Sequence, residues 1–226
     1  MIELISDVTQ ESGTFFVSSA ALFFASYTSL FSVVNPLAAM PVFLSLTNRF
    51  NDAERASTAK WASIYMFGVL ILFLLIGTFV LSFFGISLPG IRLAGGLIIM
   101  RAGYEMLNPE DPGKKLTDED QAAAMEKEDI SFSPLALPLL SGPGSIAVVI
   151  GFASQANGVD DYLINALSIF LVVISTYLFL RLAPISAKYI GQTGLNVMTR
   201  LMGFIVLAIS VQFILSGISQ YFSISV

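Results

Sequence analysis

Cysteine and histidine are both absent from the 226 residues. The first absence excludes disulfides and thiolate metal sites. The second removes the commonest metal ligand and the commonest acid–base group near neutral pH. Charge is scarce too, at 12% of residues, against about 25% in soluble domains. So few charges cannot clothe a soluble surface. No basic patch is present on which nucleic-acid binding could rest. No Gly-x-x-x-x-Gly-Lys-Ser/Thr loop is present either, which argues against ATP-driven transport by this chain alone. The segment before the first apolar run carries Glu3, Asp7 and Glu11 but no Lys or Arg. A cleaved signal peptide would begin with positive charge, so the run from Phe15 is expected to remain as a membrane span.

What is abundant is apolar surface: 55% of residues are hydrophobic and the mean hydropathy is +0.81. Four stretches have no formal charge: Ser12–Asn48, Trp61–Ile91, Ile130–Val159 and Leu201–Val226. Each exceeds the roughly 20 residues needed to cross a bilayer. Tyr162–Leu180, bounded by Asp161 and Arg181, reads as a fifth span. Ile86–Leu107 reads as a sixth, less pure because Arg92 and Arg101 lie inside it. Basic residues cluster in alternate connections: Arg49, Arg55 and Lys60, then Lys114, Lys115 and Lys127, then Arg181, Lys188 and Arg200. Lys and Arg mark cytoplasmic loops, so this pattern predicts both termini outside.

Two of the apolar runs are interrupted. Asn35-Pro36-Leu37 and Pro41 break the first; Pro134, Pro138 and Gly142-Pro143-Gly144 break the one after residue 130. Proline removes a backbone donor and glycine loosens a helix, so both are costly inside a span. Broken helices are tolerated where protein or a water-filled cavity satisfies the freed groups, and a matched pair of them points to a transport site. The expected pieces are helices over Phe15–Val34, Leu37–Leu46, Ser131–Ser141 and Gly144–Gln155. The strings Arg92-Leu93-Ala94-Gly95 and Arg200-Leu201-Met202-Gly203 follow the breaks at similar distances. The expectation is therefore an all-α polytopic membrane protein of six transmembrane spans, arranged as two inverted three-span repeats with broken helices in spans one and four. Residues 1–107 would form the first repeat, 108–129 a charged cytoplasmic linker, and 130–226 the second repeat.

The candidate substrate-binding residues follow from the breaks. Asn35 offers an amide ahead of Pro36, either as a helix cap or as a ligand group. Ser133 precedes Pro134 in the same way. Ser141, Gly142, Gly144 and Ser145 surround a helix start whose N–H groups suit a carboxylate, while unwound carbonyls suit a cation. Arg92 either snorkels to the outer interface or reaches a ligand carboxylate. Arg101 and Glu105 are spaced to pair, and Gly95, Gly96 and Gly103 suit close helix packing. No Asp or Glu lies centrally in a span, so a side-chain proton relay has little to use. Na⁺ is favoured over H⁺ as coupling ion on that ground; no cofactor is expected, and the sequence leaves open which residues would hold a metal ion.

With Asn35-Pro36-Leu37, the string Phe84-Gly85-Ile86-Ser87-Leu88-Pro89-Gly90-Ile91-Arg92-Leu93-Ala94-Gly95-Gly96, and Pro138 followed by Ser141-Gly142-Pro143-Gly144, the chain resembles the MarC family of bacterial and archaeal inner-membrane proteins. The resemblance runs from about residue 15 to 220. It implies a multi-pass protein of the cytoplasmic membrane, some relatives being transporters of small neutral amino acids such as alanine and glycine. Ala38 and Ser141 stand where many relatives have Gly and Ala. The reading favoured is a secondary transporter of small solutes by alternating access. An exporter of small toxic compounds or metabolites and a non-transporting membrane partner are the alternatives.

Overall fold

The computed structural model describes residues 2–107 and 131–223; for residues 2–16 and for Ser133, Pro134, Pro138, Ile190, Gln192 and Leu195 it describes the backbone alone. The charged linker expected over 108–129 lies outside the described residues. Seven helices are present among those described.

The first, α1 (Ile2–Val34), ends where the sequence predicts. A residue before proline is driven out of the α region, and asparagine tolerates the left-handed one. Asn35 adopts it, with φ 49° and ψ 69°. Its N–H donates to the Phe31 carbonyl at 2.8 Å and closes α1, and its own carbonyl accepts from the Ala39 N–H at 3.2 Å and opens α2 (Pro36–Leu46). Its side-chain Oδ1 caps α2 by accepting from the Ala38 N–H at 3.1 Å. The break is one residue wide.

Helix α3 (Asp52–Phe83) starts at a capping box in which Asn51 accepts from the Glu54 N–H and Glu54 accepts from the Asn51 N–H. Its inward stripe, from Ala59 and Ala62 through Met66, Leu70 and Leu74 to Leu81, repeats every three or four residues. Its outer face carries Leu75, Phe79 and Phe83, each more than half exposed. Meanwhile Asn35, Thr47, Ser141, Asn165, Ser168, Thr176 and Ser210 are buried. Apolar outside and partly polar inside is the arrangement of a chain whose solvent is lipid.

After α4 (Leu88–Leu107) comes α5 (Ser131–Leu140), a run of π-helix. Pro134 and Pro138 lack two of the donors an α-helix would need there. The wider pairing persists at the end, where the Ser141 N–H donates five residues back to Ala136 at 2.9 Å. Helix α6 (Pro143–Gln155) begins at extended Gly142 with Pro143 in its first turn. Helix α7 (Val159–Phe222) is interrupted at Gly191, whose φ of 70° only glycine adopts freely.

The expected six spans in two inverted repeats do not survive. Among the described residues four segments are long and apolar enough to cross a membrane: Val17–Leu46, Asp52–Phe83, Val159–Tyr189 and Asn196–Phe222. Helix α4 has the length but concentrates Arg92, Arg101 and Glu105 in its 20 residues. Helices α5 and α6, of 10 and 13 residues, are each too short. The charge-free run after residue 130 was read as one crossing, but its π-helical piece and the turn at Ser141-Gly142 divide it.

Glycine lets α4 sit tightly between α6 and α7. A Cβ at Gly103 would stand 3.0 Å from the Leu207 nitrogen and 3.1 Å from the Gly203 carbonyl. On the other face, a Cβ at Gly95 would meet the Ala147 Cβ at 2.5 Å. Close backbone approach of this kind is how helices associate without help from the hydrophobic effect. Arg101 donates to Glu105 at 2.9 Å on the exposed side of α4, as their spacing predicts.

Candidate functional site

The two breaks meet. Gly144, in the first turn of α6, is packed so closely that a Cβ there would lie 2.7 Å from Ile99 Cγ1 and 3.4 Å from Val33 Cγ1. Val33 is two residues before Asn35, so the end of α1, the middle of α4 and the start of α6 converge. Asn35 is 4% exposed, and its side-chain Nδ2 donates to Met106 Sδ at 3.6 Å, a weak acceptor. Pro36 is buried behind it. Ser145 is buried and donates to the Leu140 carbonyl at 3.3 Å, bridging the gap between α5 and α6. Ser141 is fully buried, and its Oγ is the one buried side-chain nitrogen or oxygen without a hydrogen bond among the described residues. Such a group costs about 1–3 kcal/mol unless something satisfies it.

The predicted residues Asn35, Pro36, Ser141, Gly142, Gly144 and Ser145 therefore belong to the two breaks and share one region of the fold. Ser133 falls within α5, but its side chain lies outside the described residues. Arg92 is not at the breaks. It stands in the second turn of α4, with roughly 20 Å of helix between it and Met106. Its Nη1 donates to Gln220 Oε1 at 2.8 Å.

Arg92 instead lines a pocket of about 340 Å³ between α1, α4, α6 and both arms of α7. Asp161, Asn165, Gln155 and Gln212 supply further polar groups, and Ser26 and Ser29 of α1 complete one wall. Asp161 Oδ2 accepts from the Asn157 N–H at 2.8 Å. Ser26 donates to Asn165 Oδ1 at 2.7 Å, a buried pair linking α1 to α7. The pocket reaches Val148 on α6, one helical turn from Gly144. Gly144, Ile99 and Val33, which pack together at the breaks, are not among the residues that line it. Among the described residues no group of three acidic, Cys or His side chains is placed to hold a metal ion.

The model of the MarC family integral membrane proteins matches residues 20–222. The chain belongs to the MarC family. Among its MarC relatives, a UPF0056 membrane protein of Methanocaldococcus jannaschii is 38% identical over 87% of this chain and 95% of its own length. The membrane protein YvbG of Bacillus subtilis is 34% identical over 88% and 94%. The inner membrane protein MarC of Escherichia coli K12 is 36% identical over 84% and 91%. No solved structure matches the chain. This MarC family chain is thus a multi-pass membrane protein.

Sequence reasoning missed Asp161, Gln155, Asn165 and Gln212 as a group, because they come together only where α6 meets the two arms of α7. One signal was available: Asn165 is the single amide in the apolar run Tyr162–Leu180.

Proposed function

We propose that the protein is a secondary transporter of a small solute, with neutral amino acids such as alanine and glycine as the solute class, working by alternating access. The observation that carries this reading is the unsatisfied Ser141 hydroxyl at the meeting of two helix breaks. A site that must take up and release a polar ligand keeps groups that only the ligand satisfies, and Asn35 Nδ2, held by a thioether alone, is a second such group. The start of α6 adds N–H groups suited to a carboxylate. A polar pocket whose lining reaches Val148, one turn from Gly144, supports transport over a scaffold role. Arg92 and Asp161 in its walls carry the opposite charges that a zwitterion presents, so Arg92 serves at the approach to the site and not within it. The basic ends of α3 and of both arms of α7 would face the cytoplasm, with both termini opposite.

The test is uptake and exchange by proteoliposomes across a panel of amino acids and small metabolites under Na⁺ and H⁺ gradients. Transport of a small neutral amino acid, stimulated by Na⁺ and lowered by both Asn35→Ala and Ser141→Ala, is expected. A panel in which nothing moves sinks the transporter reading. Transport untouched by either substitution sinks the site.

A further inference from the structure

Away from the breaks, the seam where α3 packs against the first arm of α7 holds two adjoining hollows of opposite character. The first, of about 280 Å³, contains Arg55 and Arg181. The second, of about 350 Å³, is an apolar groove with Lys60 at one end and Phe67 and Phe170 at the other. The two rings stand edge to face with centroids 6.0 Å apart. The helices run antiparallel here, and one turn separates the hollows on each: Ala56 from Lys60 on α3, and Tyr177 from Arg181 on α7. Cations at one end and a greasy trough of roughly 10 Å at the other make one amphipathic slot along the membrane-facing side.

We propose that this slot binds one anionic phospholipid, with the phosphate between Arg55 and Arg181 and an acyl chain along the groove toward Phe67 and Phe170. Charge complementarity selects the headgroup. Two cations, Arg55 and Arg181, line that hollow against one carboxylate, Asp52, with Lys60 at the near end of the groove. The Asp52 side chain is 99% exposed and stands 3.7 Å from Arg55. That long, solvated pair is weak. The remaining guanidinium nitrogens of Arg55 hold the Thr47 carbonyl at 3.0 Å and the Asn48 carbonyl at 3.5 Å. Arg55 therefore contributes its positive charge to the hollow, while Arg181 supplies the free donors. Arg181 is exposed and makes no ion pair among the described residues. The adjoining groove selects a lipid over a free anion, since inorganic phosphate has nothing to place there. The location agrees as well: Arg55, Lys60 and Arg181 line the two adjoining hollows, and basic pockets between helices at the cytoplasmic face are where anionic headgroups collect. Arg55 also ties the slot to α2, because its Nε donates to the Thr47 carbonyl at 3.0 Å, just past the end of that helix. A headgroup on Arg55 therefore steadies the far end of α2.

The experiment is native mass spectrometry of the full chain in detergent, titrated with phosphatidylglycerol, phosphatidylcholine or inorganic phosphate. One phosphatidylglycerol should be retained about fivefold or more above phosphatidylcholine, the preference that one basic contact confers. Arg181→Gln, at an exposed side chain, should lower that retention about fivefold. Ile174→Trp, which fills the groove, should lower retention of both lipids. Lys188→Gln, on the same arm but outside the slot, should change nothing. Equal retention of the two lipids, an unchanged adduct in Arg181→Gln, or an equal loss in Lys188→Gln overturns the proposal. So does displacement of the lipid by inorganic phosphate, which would make this a free-anion site.

Discussion

Ser141 separates what the fold wants from what the site wants. Removing its buried, unpartnered hydroxyl relieves a desolvation cost, so Ser141→Ala should raise the melting temperature in detergent, by up to the equivalent of about 1–3 kcal/mol. Under the proposed transport function, the same change should lower uptake by proteoliposomes. A fall in melting temperature would show that the hydroxyl already has a structural partner. Asn35 behaves oppositely, because it serves both. Asn35→Ala loses the cap on Ala38 and puts in the left-handed region a residue that lacks asparagine's tolerance of it, together worth about 2–3 kcal/mol. Asn35→Gly loses the cap but suits the conformation, so it should cost only a few tenths of a kcal/mol. Melting curves should rank parent, glycine and alanine in that order. The reverse order of the two variants would mean that φ 49° is not what the position requires.

At the scale of elements, glycine decides how closely α4 approaches its neighbours. Gly103→Val would drive a side chain into the Gly203 carbonyl and Leu207 backbone, which cannot rotate away as a side-chain tip can. A loss of about 1–3 kcal/mol or more is expected. Gly68, on α3, has nothing near its Cβ position, so Gly68→Ala should stabilise by up to about 1 kcal/mol through helix propensity. Thermal unfolding of the pair checks both signs. The element scale is also where the sequence was most and least legible. The end of α1 could be read to the residue, because proline acts on its immediate neighbour by steric clash. The start of α6 was legible for the same reason. Crossing number was not. Counting charge-free gaps credits a run with a span whatever its conformation, and the run after residue 130 is split by a π-helical piece that no apolar period announces. Arg92 was drawn to the site by its rarity in an apolar run, whereas the rise of α4 carries it to the pocket. The pocket itself is a tertiary object, and of its polar residues only Asn165 stands out along the chain.

For the whole molecule, the absence of cysteine makes orientation easy to measure. Single cysteines report sidedness without a background to remove. Asn157→Cys, in the exposed turn before α7, should react in intact cells with an impermeant maleimide. Lys188→Cys, near the Gly191 interruption, should react only after permeabilisation. Labelling of both from one side, or of each from the opposite side, overturns the proposed orientation, and with it the leaflet in which the α3–α7 slot lies.

The junction at Asn35 has a mechanical consequence. Since the last rung of α1 and the first rung of α2 are made by the same residue, turning its two backbone torsions swings one helix relative to the other without breaking a main-chain hydrogen bond in either. It is a pivot with no rung to unzip. A swing of about 10° there carries the far end of α2 about 3 Å, the width of a water molecule. That end is the one Arg55 holds by the Thr47 carbonyl, so the lever has a fulcrum at one tip and a brake at the other.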